Sequence, residues 1–445
     1  MAPSQHAQTP RILSALAALV PFGFLARFIA LPLADKLSYV PDDAFYYLQL
    51  GREWAATGRW SFDGGRTTTT GFHLLFAYLC ALLSRIGIHD ANRLTCVHAT
   101  IAVILTALSI GLLNAVARRL FPKGASFALL TVGFASGMSI LPFQGMEWPF
   151  VVFAGALAAF AFATDRRWLL AASFLVGPFC RSDFILLGGT LALAHASLDL
   201  RLREKRTRKA LLFTLVPTFA GGALISLHTW MVDGHFVQAS ARMKAHWGNV
   251  VGFSLGYGAD PVSFVFTPAG LFTRVLDYGT ITLLVPAALL GVAFVVRDKS
   301  PMPERSEVGW RWAVIATVGY ICFYSKVANA AMPWYSANFA MPMFLLSARL
   351  AHTASHRVRR FIWWPLVALA VGSIWFASRP MWNAKGMYES ITQLRDSANP
   401  PPEIASWNAG TIGYLSGIPT VNIDGLVNDD VIPYIVADQI GRAHV

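Results

Sequence analysis

Charge is scarce in this chain. Asp, Glu, Lys and Arg together make up 13% of its 445 residues, about half the share expected of a soluble domain. Acids are the scarcer kind, 24 against 36 Lys and Arg, for a formal net charge of +12. Cysteine is nearly absent too: Cys80, Cys96, Cys180 and Cys322 form no CxxC and no Cys/His metal spacing. That excludes a disulfide framework and a zinc-type site. It leaves the four as small apolar fillers, with a Cys80–Cys96 pairing open. What abounds is apolar surface, 55% of residues, with a mean hydropathy of +0.50. Little charge and much apolar surface exclude a soluble enzyme and point to a polytopic membrane protein.

A spanning helix needs about 20 apolar residues. Candidate spans fall at 12–34, 95–117, 125–143, 148–164, 168–180, 184–198, 210–231, 278–296, 312–328, 336–348 and 361–377. The run 71–88 (GFHLLFAYLCALLSRIGI) is ambiguous, and the basic residues decide it. The densest basic stretches are Arg118, Arg119 and Lys123; Arg166 and Arg167; RLREKRTRK at 201–209; Arg297 to Arg311; and Arg349 to Arg360. If 71–88 lies in the outer interface, all of them are cytoplasmic. That gives about 11 transmembrane helices, an inside N-terminus and an outside C-terminus. The first helix carries no cleavage site and is expected to stay uncleaved. The positive charge then reports topology and contact with membrane lipids, and nucleic acid is excluded as a partner.

Acids sit where they are costly. In SYVPDDAFYYLQLGREW, Asp42 and Asp43 lie just past the first span, on the outer side. Carboxylates beside hydrocarbon need a partner or a function. They can cap the amphipathic helix that follows, and one can cap while the other reacts. In GRWSFDGGRTTTTGFH, Thr70 and His73 can offer a hydroxyl and an imidazole to a sugar or phosphate. Glu147, in FQGMEWPF, lies between two apolar helices. Arg181, in PFCRSDF, and the cluster Arg242, Lys244 and His246 can hold an anionic group. Lys326 and Tyr335 (SKVANAAMPWYS) mark another outward turn. Carboxylates can deprotonate an acceptor hydroxyl, and cations can neutralise a departing phosphate.

These residues carry a resemblance. DDAFYYLQLGREWAATGRWSFDG (42–64), TGFH (70–73) with the apolar run after it, and GMEWP (145–149) resemble the GT-C fold glycosyltransferases that use polyprenyl-phosphate sugars. That group includes protein mannosyltransferases, aminoarabinose transferases and arabinofuranosyltransferases. The resemblance implies an acidic motif after the first helix, interfacial helices in the first outer loop, and a second acid after the third span. It implies Asp42 or Asp43 as catalytic base, with Asp42 favoured as the first acid of the motif, and Glu147 as a further site carboxylate. Leu74 and Thr70 depart from the Pro after TGFH and the Asn before its Gly that the family motif leads one to expect.

Residues 402–430 (PEIASWNAGTIGYLSGIPTVNIDGLVNDD) change character, with Gly-containing turns between short strand-like runs. They read as the start of an α/β extracytoplasmic domain, 378–439, after a transmembrane catalytic domain, 1–377, whose first outer loop is 35–94. The last six residues, IGRAHV (440–445), match translated library adapter, so the native chain is expected to continue past Gln439.

The fold expected is therefore all-α and polytopic, GT-C-like, with outer interfacial helices. The function expected is inverting transfer of a hexose or pentose from a polyprenyl-phosphate donor. The acceptor is a glycan, lipid or protein on the outer face of a bacterial-type inner membrane. No cofactor is required by the sequence, though Asp42, Asp43 and Glu147 could hold a divalent cation. The rivals are a transporter or flippase of a lipid-linked sugar, which would show midplane polar residues and an internal repeat, and a non-catalytic scaffold.

Overall fold

The computed structural model describes Leu19 and residues 21–124, 145–202, 207–250, 302–324, 335–354 and 384–437. The expected spans 125–143, 278–296 and 361–377, with Lys326 and the final hexapeptide, lie outside the described residues. A short apolar helix, α1 (Pro21–Ala30), and a single turn, α2 (Leu33–Lys36), lead into α3 (Asp42–Thr57). Then come α4 (Leu74–Arg85), α5 (Ala91–Leu120), α6 (Trp148–Thr164), α7 (Arg167–Cys180), α8 (Ile185–Leu202), α9 (Thr207–Asp233) and α10 (Ala239–Val250). Beyond these lie α11 (Glu304–Cys322), α12 (Ser336–Thr353) and α13 (Ala384–Arg395). The C-terminal segment is β1 (Ile404–Ser406), α14 (Gly410–Ser416), β2 (Thr420–Asn422) and α15 (Ile432–Val436).

The long helices are apolar on all sides, as helices in lipid must be. Among the described residues, Ala91–Leu120 and Leu211–Asp233 are long and apolar enough to cross a membrane; α4, α6, α7 and the start of α8 are shorter apolar helices. Asp90 starts α5 by accepting the N–H of Arg93 at 2.9 Å, a side-chain N-cap. Neighbouring helices α5–α6, α6–α7, α7–α9 and α8–α11 pack pairwise into one bundle.

The basic ends of the bundle meet one another. Arg305 pairs with Asp165 at 3.0 Å, Ser306 donates to the Leu120 carbonyl, Arg311 donates to Ser197, and the Lys123 N–H reaches His352. The C-terminal ends of α5, α6, α8 and α12 and the start of α11 therefore share one end, the arrangement expected from the basic stretches. Helix α4, within the ambiguous run, is 12 residues long, roughly 18 Å. It lies against α3, and Phe76, Ala77 and Cys80 are buried. Cys80 and Cys96 are both free thiols, and Cys80 faces His98 at 3.6 Å.

The C-terminal segment packs on the first outer loop. Its β–α–β unit has parallel strands in the register Ile404–Thr420 to Ser406–Asn422. Ala409, Tyr414 and Val427 join the same apolar core as Phe45, Phe62 and Phe72. The α/β pattern expected of this stretch is present as a strap laid across α3.

The α3–α4 contact depends on Gly51, where an added Cβ would stand 2.7 Å from the Cys80 and Ala81 backbone. Gly51→Ala is therefore expected to cost about 1–3 kcal/mol by overpacking. A lowered thermal midpoint in detergent, against an unchanged one for Ala56→Ser on the exposed side of α3, measures this.

Candidate active site

The site begins with the first two turns of α3. Pro41 precedes the helix, and neither Asp makes a side-chain cap bond to its own helix. Adjacent positions on a helix point about 100° apart, and positions four apart share a face. So Asp42 and Tyr46 share one face, and Asp43 and Tyr47 share the next. The two faces have different surroundings.

Asp42 faces the strap. Its Oδ2 accepts the N–H of Gly410 at 2.8 Å, and its Oδ1 accepts that of Thr411 at 2.7 Å. Burial raises its proton affinity, and those N–H bonds oppose the rise. Tyr46 donates to Asp424 Oδ2 at 3.0 Å and accepts from the Ala409 N–H and the Asn422 amide. One Asp does cap a helix, but the helix is α14, some 370 residues away in sequence.

Asp43 faces a pocket. Its other walls are Tyr46, Tyr47, Gly71, Phe72, His73, Met146, Glu147, Arg181, Ser240, Lys244 and Leu426, around about 440 Å³ of space with the open mouth included. Burial pushes the Asp43 carboxyl up to about 7; Lys244 restrains it, while Asp42, Asp424 and Glu147 add to it. Every described wall comes from a stretch assigned by the sequence to the outer side.

Beneath the pocket lies a buried ion network. Arg181 is 4% exposed, and its Nη1 donates to Glu147 Oε1 at 2.8 Å. Its Nε and Nη2 grip Asp183 at 3.2 and 2.9 Å. Tyr324 donates to Asp183 at 2.7 Å, and Asn338 in turn donates to Tyr324. Burial works against ionising Asp183, but Arg181 and these hydrogen bonds hold it down at about 2. Arg181 also lies 4.8 Å over the Tyr335 ring, and Lys244 Nζ lies 5.6 Å over it. His73 sits 3.7 Å from Glu147, and burial lowers it to about 4, so its imidazole is neutral. His73 Nδ1 and Glu147 Oε2 are buried without a hydrogen-bond partner.

The basic cluster on α10 divides. Lys244 joins the pocket. Arg242 does not: its Nη2 bridges Asp233 at 3.2 Å and Asp429 at 2.9 Å. His246 is not among the pocket walls. Thr70 is likewise turned away, donating to Asp233 at 2.7 Å and accepting the Ala239 N–H. Thr69 donates to Asp429 at 2.6 Å. These hydroxyls tie the loop to α9, α10 and the strap. Asp42 turns to α14, while Asp43 and Glu147 both line the pocket, Asp43 facing Lys244 and Glu147 bonded to Arg181. Among the described residues no group of three or more His, Cys, Asp or Glu could hold a metal ion. Tyr46, Tyr47, Ser240, Tyr324, Asp424 and Leu426 complete the site and were not singled out from sequence; Asp183, beside Arg181 in PFCRSDF, forms with it the local ion pair that a helix turn there allows. Only the tyrosines had a signal there, four residues after the acids.

With this geometry in view, the chain can be set beside known proteins. Its structure is similar to that of ArnT from Cupriavidus metallidurans bound to undecaprenyl phosphate. The TM-score is 0.56 at 13% identity, over 90% of this chain and 86% of that one. It is also similar to the Archaeoglobus fulgidus oligosaccharyltransferase. The apo form gives a TM-score of 0.58 at 14% identity over 95% of this chain, and the form tethered with an acceptor peptide gives 0.54 at 13% over 93%. The chain has the GT-C fold. No family model matches the sequence, and no curated protein matches it significantly. The chain spans just under two thirds of the oligosaccharyltransferase's length, 64–65%.

The Asp233–Asp429 contact makes a pH test possible. The two carboxyls hydrogen-bond each other, and Asp429 is raised above the usual 3.8, by burial first and then by Asp233. Asp233 is lowered; burial opposes this, and hydrogen bonds from Asp429, Thr70 and the His235 N–H, with the Arg242 charge, bring it about. His235 lies 3.7 Å from Asp233 on its exposed side. A raised carboxyl supports the closed contact while protonated, so that support fades as pH climbs from about 4 toward neutrality. Amide exchange at 428–433, corrected for intrinsic rate, is expected to be faster at pH 8 than at pH 5. Asp429→Asn should flatten this dependence.

Proposed function

We propose that this protein is a multi-pass membrane glycosyltransferase with about eleven spans, acting on the outer face of a bacterial-type inner membrane. It would transfer a sugar from a polyprenyl-phosphate donor to an envelope glycan, lipid or protein. The observation that carries this reading is the pocket itself: one partly exposed carboxyl, Asp43, opposite a lysine, Lys244, at the outer end of a GT-C bundle. The neighbours support a lipid-linked donor, since one of them binds undecaprenyl phosphate.

In this mechanism Asp43 takes the proton of the acceptor hydroxyl as its oxygen attacks the anomeric carbon. The bond from that carbon to the phosphate oxygen breaks, and the phosphate leaves on its lipid. A single displacement inverts the anomeric centre. A general base works best with a pKa near the working pH, and Asp43 at about 7 meets that condition. Lys244 is the cation for the departing phosphate. Arg181 is already balanced by Glu147 and Asp183, so it braces the site and reaches the phosphate second. The unfilled positions on Glu147 Oε2 and His73 Nδ1 are where sugar or acceptor hydroxyls would bind. The charged residues of the pocket gather at one end of the bundle, and the transporter reading gains no support from them.

The test is transfer of radiolabelled sugar from a panel of polyprenyl-phosphate donors in membranes containing the protein. Asp43→Asn is expected to lower the rate about 10²–10⁴-fold, with insertion unchanged. Lys244→Met should raise the KM for donor. The raised Asp43 carboxyl must lose its proton to act, so kcat/KM should rise with pH through an acid limb near 7. Full activity of Asp43→Asn would remove the reading.

A further inference from the structure

We propose that Asp42 is a positioning residue: it docks the strap formed by residues 404–430 as one wall of the pocket and takes no part in proton transfer. This rests on the glycosyltransferase reading for its activity arm, and its docking arm stands apart from it.

Three observations carry it. First, both oxygens of Asp42 are committed, one to the Gly410 N–H and one to the Thr411 N–H. Charge-assisted bonds of this kind are among the stronger ones. The pocket is lined by Asp43 and not by Asp42. Second, the contact is close and shaped for this partner. A Cβ on Gly410 would stand 2.2 Å from the Asp42 carbonyl oxygen. One turn further along α3, Tyr46 holds Asp424, Asn422 and Ala409 together. Third, what the strap delivers is part of the site. Leu426 lines the pocket, and its carbonyl lies against Gly71, where a Cβ would meet it at 1.6 Å. Asn428 donates to Asp63 and Thr67 in the same outer loop. Asp42 thus acts on the chemistry through the strap. It sets the wall that Leu426 makes and the place of the Gly71–His73 turn beneath it.

The experiment restores the strap without restoring the carboxylate. Arg66 and Glu403 form an exposed ion pair between the outer loop and the strap. With Cys96 and Cys322 replaced by Ser, Arg66→Cys and Glu403→Cys are joined by a short bifunctional thiol reagent in the full chain. Asp42→Ala is expected to speed amide exchange at Gly410 and Thr411 by about tenfold or more. It should also lower kcat/KM about tenfold or more, mainly through KM. The cross-link should bring both back to within about threefold of the parent. Asp42→Asn, which keeps one accepting oxygen, should lie between. Asp43→Asn should leave exchange unchanged and lose transfer that no cross-link restores.

The proposal is overturned if Asp42→Ala or Asp42→Asn abolishes transfer while exchange stays at the parental rate. It is also overturned if the cross-link restores slow exchange but no transfer, since Asp42 would then act chemically. If the parent consumes no donor, the glycosyltransferase reading fails by itself. Unchanged exchange in Asp42→Ala would then still refute the docking.

Discussion

Arg181 is the group on which the rest of the site depends. A guanidinium that is 4% exposed beside an apolar bundle is tolerable only with its charge matched and its donors filled. Glu147, at the start of α6, takes one nitrogen, and Asp183, at the start of α8, takes two. Tyr324 then fixes Asp183 from the end of α11. Three helix ends are thereby held at one level, and that level forms the pocket floor. Removing one partner of such a network costs more than the pair contributes, because a charge is left buried. The floor is therefore rigid, and the free hydrogen-bonding positions on Glu147 and His73 are aimed by it.

Above the floor, one helical turn divides the labour of two adjacent acids. Helical geometry turns Asp42 to the strap and Asp43 to the pocket; four residues on, Tyr46 touches both and Tyr47 lines the pocket. Asp43 keeps a high proton affinity because it is partly buried among other acids and faces one lysine. Asp42 has its negative charge satisfied by backbone N–H groups. The same chemistry, two residues side by side, meets two different surroundings purely through direction. The strap completes the enclosure: Asp42 and Tyr46 hold one part of it, and Asp429, through Thr69 and Arg242, holds another.

The sequence by itself determined the class and the short list of charged groups set beside apolar segments. Hydropathy and the basic stretches made the bundle and its two ends legible, since both are set by transfer energies that act residue by residue. They also favoured an interfacial place for 71–88, whose helix α4 packs against α3. The acids stood out because charge beside hydrocarbon is costly wherever the chain goes. What the tertiary structure alone decided is which neighbour each group meets. Asp43 in place of Asp42 at the pocket, Lys244 in it and Arg242 outside it, Thr70 spent on Asp233, and Glu147 and Tyr324 joined to the Arg181–Asp183 pair all depend on contacts between residues far apart in the chain. Local patterns say how costly a group is to bury. The partner that offsets the cost is chosen by packing between distant segments, and no local pattern encodes that.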